Sequence, residues 1–187
     1  MSEFPPLTPD EQYDLVVAHL SKQDKIDVDS SKFSLFYFSR CGHVKGVSYL
    51  ISRGMPIDTD TGYGDTPLYI ACKYGHVDLV KYLISEGANV NKDVDLGFTP
   101  LHTASELNRL AIVEILLSHG ANINAKTDIG VSSLTLAYVY KNVEIVKILI
   151  SEGADYSKLM KMYEGSPDEM ILEQIIIEIG IDKVKMI

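Results

Sequence analysis

The stretch that decides the fold is Asp65-Thr66-Pro67-Leu68-Tyr69-Ile70-Ala71-Cys72-Lys73-Tyr74-Gly75-His76-Val77-Asp78-Leu79-Val80-Lys81-Tyr82-Leu83-Ile84-Ser85-Glu86-Gly87-Ala88-Asn89. Thr66 is a helix N-cap, able to accept from the first free N–H groups. Pro67 has a helical φ and no N–H to leave unpaired at the first helical position. The spacing predicts a short helix over about 66–74 with Leu68 and Ala71 inward. Gly75 permits a left-handed turn. A second helix follows over about 77–86, with Val77, Val80, Leu83 and Ile84 on one amphipathic face. Gly87 ends it, and Asn89-Val90-Asn91-Lys92-Asp93 reads as an extended polar connection.

Outward from this stretch the pattern repeats. Gly54, Gly87, Gly120 and Gly153 recur at intervals of 33, as do Leu35, Leu68, Leu101 and Leu134, and Leu50, Leu83, Leu116 and Leu149. Four units follow, at 28–60, 61–93, 94–126 and 127–159. Two short helices cannot bury their apolar faces alone, so stacked neighbours must supply the missing partner. The fold class expected is all-α, a solenoid of helix-turn-helix units with hairpin-like connections.

The segments Asp65-Thr66-Pro67-Leu68-Tyr69-Ile70-Ala71 and Phe98-Thr99-Pro100-Leu101-His102-Thr103-Ala104, with Gly75-His76-Val77 and Leu116-Leu117-Ser118-His119-Gly120-Ala121-Asn122, resemble the signature of ankyrin repeats over about 28–160. The departures are informative. The first unit has Phe33-Ser34-Leu35-Phe36 at its start and the fourth has Ser132-Ser133-Leu134-Thr135. The resemblance implies that a motif histidine bonds the threonine hydroxyl and backbone groups between repeats. Only His102 can do so, because Phe36, Tyr69 and Thr135 hold the equivalent places. The turn position of Gly42 and Gly75 passes to Asn108 and Lys141, and either Lys141 takes positive φ, at a steric cost of roughly 1 kcal/mol, or the turn before residue 143 is distorted. Tyr138 stands where the family usually has alanine, so it widens the spacing or lies against the C-terminal segment.

The ends read as caps. Residues 1–27 hold Thr8-Pro9-Asp10-Glu11, a capping box ahead of Tyr13, Val16, Val17 and Leu20. Residues 160–187 hold Ser166-Pro167-Asp168-Glu169, read as a second box ahead of a helix over about 167–179. There Met170, Ile171, Leu172, Ile175, Ile176 and Ile179 are expected mostly on the inner side and Ile177 exposed. The tail 181–187 is a final turn on this cap or a frayed end.

Composition narrows the function. The chain has 187 residues, 46% hydrophobic and 23% charged, with a formal net charge of −9. That is a folding composition without a basic footprint for nucleic acid. No run approaches the ~20 apolar residues of a membrane span. The start lacks a basic-then-apolar leader, and two cysteines are too few for a disulfide framework. A reduced, cytoplasmic setting is the default, with a secreted effector left open. No phosphate loop, nucleophile elbow or zinc-protease motif occurs. No catalytic, cofactor-binding or metal-ligating residue is assigned, and no enzyme activity or cofactor is expected.

The resemblance implies partner contacts on a concave face built from hairpin tips and the exposed side of the first helices. Projected onto this chain, the tips give Tyr63, Asp65, Asp95, Leu96, Phe98, Asp128, Ile129 and Val131. The first-helix ends give Lys73, Tyr74, Glu106, Leu107, Val139 and Tyr140, with Arg40 beside them. Most of these are apolar or aromatic, with acidic residues between, which suits a protein partner carrying basic groups around an apolar centre. The expected function is a protein–protein interaction module, an adaptor or scaffold, in a monomer. The alternative is a self-associating structural or regulatory protein.

Overall fold

The computed structural model describes residues 7–22, 27–61 and 64–180, in two compact units, 1–95 and 96–187. The first unit holds α1 (Pro9–Leu20), α2 (Val28–Cys41), α3 (Val44–Ser52), α4 (Pro67–Tyr74) and α5 (Val77–Ser85). Helices pair as α2 with α3 and α4 with α5. The pairs stack first helix on first and second on second, α4 on α2 and α5 on α3, while α1 lies on α2 and α3. Leu35, Phe38, Val47, Leu50, Leu68, Ile70, Leu79 and Leu83 are buried between them. Each such side chain contributes about 1.5–3 kcal/mol of apolar burial.

The first pair departs from the others as its sequence suggested. Without a Thr-Pro start, α2 begins early, with Asp27 accepting from Asp29 N–H at 3.2 Å, and runs 14 residues. It keeps Phe38 in the core and leaves Phe33 exposed. Gly42 then turns left-handed at φ 69°, and a Cβ there would lie 2.5 Å from the His76 ring. The His76 Nε2–H donates to Arg40 O at 2.7 Å, tying one helix pair to the end of the preceding first helix. In the second unit Asn142 does the same, its amide donating to Ser105 O and Glu106 O at 2.8 and 3.0 Å.

The second unit holds α6 (Pro100–Glu106), α7 (Leu110–Ser118), α8 (Ser133–Val139), α9 (Val143–Ser151), α10 (Ser157–Tyr163) and α11 (Pro167–Glu178). Here α8 stacks on α6 and α9 on α7. The connection before α8 is a tight hairpin, with a Lys126–Ser132 antiparallel bridge and Thr127 N–H donating to Val131 O at 2.9 Å. No longer strand occurs among the described residues, so the fold is the all-α repeat architecture read from the period.

Lys141 has φ 59° and Asn108 φ 56°, the left-handed turns expected of them. His102 is fully buried and structural. Its Nδ1 accepts from Thr99 N–H and from the Thr99 hydroxyl at 3.1 and 2.8 Å, which leaves Nε2–H to donate to Val131 O at 3.2 Å. Burial lowers its pKa, against the opposing backbone bonds to Val131 and Ala125.

The C-terminal end differs from its sequence reading in three ways. First, α10 is a helix that no sequence signal announced. Asp155 accepts from Ser157 N–H at 3.0 Å to start it, and Leu159 buries into the unit. Second, Ser166 caps α11 by backbone position only, without a side-chain bond, and Glu169 accepts from Gly165 N–H at 2.6 Å, so the expected capping box does not form. Third, only Leu172, Ile175 and Ile176 of α11 are buried. Met170 and Ile171 join Ile177 in solvent, because α11 packs on α9 and α10 and nothing described covers its remaining side. Tyr138 lies against this segment, its hydroxyl donating to Asp168 O at 2.6 Å and its ring centroid 5.0 Å from that of Tyr163.

Candidate functional site

In the first unit the projected residues are Asp65, Lys73, Tyr74 and Asp95. Tyr63 lies outside the described residues. Asp65 is half-buried at a tip closed by Thr61, whose N–H and hydroxyl donate to Asp65 O at 3.0 and 2.9 Å. Burial raises its carboxyl pKa and the neighbouring Asp95 and Asp60 add to this, against the pull of Lys73. Asp95 packs close to the preceding tip. A Cβ on Gly64 would lie 3.0 Å from its carboxylate oxygens, and Gly64 takes φ 78°.

Tyr74 is exposed at the end of α4 but not idle. Its ring stacks on His76, with centroids 6.3 Å apart, and the Arg40 guanidinium carbon lies 5.6 Å from the ring centre. The Lys73 ammonium lies 5.9 Å from the Tyr69 ring centre. Arg40, Tyr74 and His76 thus form one polar-aromatic stack, half of it committed to the fold.

In the second unit the projected residues divide by what they touch. Phe98 is half-buried with its ring 5.8 Å from His102, and Val131 is half-buried with its carbonyl taken by His102 and Thr127. These two pack sideways. Leu96 and Ile129, 33 residues apart, do the opposite, at 67% and 78% exposed. Leu96 is held at φ 62°, a region uncommon for any residue but glycine, while its carbonyl accepts from Asp128 N–H at 3.0 Å. The two tips are pressed together there, since a Cβ on Gly97 would lie 2.8 Å from an Asp128 carboxylate oxygen.

At the helix ends, Leu107, Val139 and Tyr140 are exposed and Glu106 is half-buried. A hydrogen bond from the Tyr140 hydroxyl to Glu106 raises the phenol pKa, with the carboxylate charge acting in the same direction. Sequence reasoning missed the surface that continues past Val139 to α11. Its signal was Tyr138, a bulky residue at a small-residue position.

The arrangement offers apolar side chains on fixed supports with carboxylates between them. Among the described residues no group of three or more His, Cys, Asp or Glu side chains is placed to hold a metal ion. Cys72 is buried in apolar surroundings, which push its thiol pKa up, and Cys41 is exposed and unpaired as a disulfide. No helix among the described residues is long and apolar enough to cross a membrane.

A comparison with curated proteins found no match. A family model described as ankyrin repeats (3 copies) matches residues 10–94 and 91–159, and with the paired helices, left-handed turns and hairpin tips described above, it shows that the chain belongs to the ankyrin-repeat family.

Proposed function

We propose that this chain is a non-enzymatic adaptor that holds a protein partner against its hairpin tips and first-helix ends. Ankyrin repeats are in general protein–protein interaction modules, and the family is an interaction fold without chemistry of its own. The observation that carries the reading is the pair Leu96 and Ile129. Two large apolar side chains stand in solvent at successive tips, and the backbone of the first is held left-handed by its contact with the second tip. Large apolar side chains fixed in solvent on rigid tips are what a partner-binding face needs. Leu107, Val139 and Tyr140 extend the apolar character, and Glu106 and Asp128 set the charge. The matching partner carries apolar anchors flanked by lysine or arginine.

The test is affinity capture from source-cell lysate with the wild type and a Leu96→Ser, Ile129→Ser, Tyr140→Ser variant. The expected result is a protein retained by the wild type, lost from the variant and weakened by added salt, with the melting temperature unchanged. Equal retention by both chains would overturn the assignment of this face.

A further inference from the structure

We infer that the apolar groove between α11 and the α8–α9 turn is a second docking site, for an amphipathic helix of a protein partner that carries lysine or arginine along the edge facing α11. The groove encloses a cavity of about 290 Å³ within the second unit, walled by Tyr138, Val143, Tyr163, Ile171 and Ile175. It exists because of how the repeats end. First helix stacks on first helix where α8 meets α6, but beyond α9 the chain makes α10 and sets α11 on α9. The far side of α8 is met by Tyr163 and the start of α11, through the Tyr138 ring and hydroxyl. That hydroxyl is already spent on Asp168 O, so the wall it stands in is apolar. Ile171 is left 53% exposed at the mouth, with Val139 and Val143 also in solvent. A terminal repeat needs a polar outer face, and this one has apolar residues on it.

Three observations select the occupant. The first is size. The cavity is at the low end of the roughly 300–1,000 Å³ of sites that enclose a small molecule, and its mouth is open. It suits the anchoring side chains of a larger ligand. The second is form. Among the described residues this unit has a single β-bridge and no strand edge to take an extended segment. The walls are helices, so the fitting mode is a helix laid in the groove, with anchors at i, i+3 or i+4 and i+7. The third is charge. Asp168, Ile171, Ile175 and Glu178 follow each other at steps of three, four and three, so one face of α11 sets the apolar pair between two carboxylates. Asp168 lines the cavity. Glu178 shares Lys147 with Glu144, at 3.1 and 3.5 Å, one cation against two carboxylates. Helix α11 itself has no lysine or arginine. Across the mouth, Lys141 lines the cavity from the α8–α9 turn. The complementary helix is therefore basic along its α11 edge and acidic toward Lys141. A second copy is disfavoured, since pairing two α11 helices sets acid against acid.

The inference rests on the reading of the chain as a protein-binding module but not on the tip face, and its test separates the two. The probe is a phage-displayed library of random peptides about four helical turns long, panned over the full chain. Enriched peptides are synthesised and titrated into the chain labelled at Ile and Val methyls. The expected result is a class of peptides with apolar residues at helical spacing and lysine or arginine along one edge, which moves the Ile171 and Val143 signals saturably. Ile171→Lys is expected to weaken that class by about tenfold or more. Asp168→Asn, which keeps every apolar wall, is expected to weaken it by about twofold to fivefold. The Leu96→Ser, Ile129→Ser, Tyr140→Ser variant is expected to bind it as the wild type does. No such class, a class without the basic edge, or one that binds both groove variants as tightly as the wild type would each overturn the site. Peptides lost only from the tip variant would overturn the groove and uphold the tip face. Ile171 and Val143 signals that shift on tenfold dilution of the chain alone would overturn it in favour of a second copy.

Discussion

Helices α1 and α11 begin on nearly the same four residues, Thr8-Pro9-Asp10-Glu11 and Ser166-Pro167-Asp168-Glu169, and only the first closes its capping box. At α1 the Glu11 carboxylate accepts from Thr8 N–H at 2.8 Å and from its hydroxyl at 2.9 Å, while the Thr8 hydroxyl oxygen accepts from Glu11 N–H at 3.3 Å. At α11 the Ser166 N–H is already spent on Tyr163 O at 2.9 Å, in the last turn of α10. Glu169 therefore reaches one residue further back, to Gly165. The tetrapeptide offers a box. Whether it forms depends on whether the preceding backbone has left the cap N–H unoccupied.

The two helices also differ in how they are anchored, and this gives the largest expected effect. Among the described residues α1 has one buried side chain, Leu20, and polar fastenings around it. These are Asp10 to His43 at 3.0 Å, Tyr37 hydroxyl to Leu7 O at 2.8 Å and Arg53 to Leu20 O at 2.9 Å. Helix α11 buries Leu172, Ile175 and Ile176. Leu172→Ala is expected to cost about 2–5 kcal/mol in urea unfolding. Leu20→Ala carries a cost of the same order, but it is expected to fall on α1 itself. Hydrogen exchange of residues 9–20 would speed up while the amides of α4 and α5 keep their protection. Uniform loss of protection across the first unit would show that α1 is integral to the stack rather than a cap.

A third box, at the start of α6, tests what burial adds to the same geometry. Here His102 takes the glutamate's place and must stay neutral, since its Nδ1 accepts from Thr99. Its pKa in the fold lies below the ordinary imidazole value, so the unfolded chain binds the proton more readily. Stability from this group is complete above the unfolded value, near pH 6.5, and is lost as pH falls from there toward the lowered one. His102→Gln is expected to lower stability at pH 7.5 by about 1–3 kcal/mol, the cost of leaving buried partners unpaired. The gap to wild type should narrow by pH 5. A gap that stays constant across that range would mean that His102 does not titrate in folding.

These three starts show what the sequence made legible. The 33-residue period placed the helix pairs, because glycines and leucines recurring in register admit one stacking. The left-handed Lys141 followed from its place in line with Gly42 and Gly75. Helix α10 was illegible because its start depends on Asp155 bonding Ser157 N–H, a local turn without periodicity. The site was less readable than the fold. Phe98 and Leu96 are both apolar tip residues two apart, yet one packs on His102 and the other stands in solvent. That difference comes from the left-handed φ at Leu96, which depends on contact with the Asp128 tip and has no signature in the residue itself.

The smallest predicted effect is the sharpest test of the comparison between α1 and α11. Thr8→Ala removes a formed box and is expected to cost about 1 kcal/mol of the local stability of α1 at neutral pH. The Thr8 backbone and side-chain bonds lower the pKa of Glu11, so that carboxylate's contribution is present above the ordinary glutamate value and fades as pH falls through the lowered one. The Thr8→Ala deficit should shrink in acid accordingly. Ser166→Ala at the matching position removes a buried hydroxyl without a hydrogen-bond partner among the described residues. It is expected to change stability by less than about 0.5 kcal/mol, the range of substitutions that break no interaction, or to raise it slightly by relieving an unpaired polar group. Urea unfolding of both variants decides the matter. A Ser166→Ala loss equal to that of Thr8→Ala would mean that the two tetrapeptides cap alike in solution and that α10 does not keep the Ser166 N–H occupied.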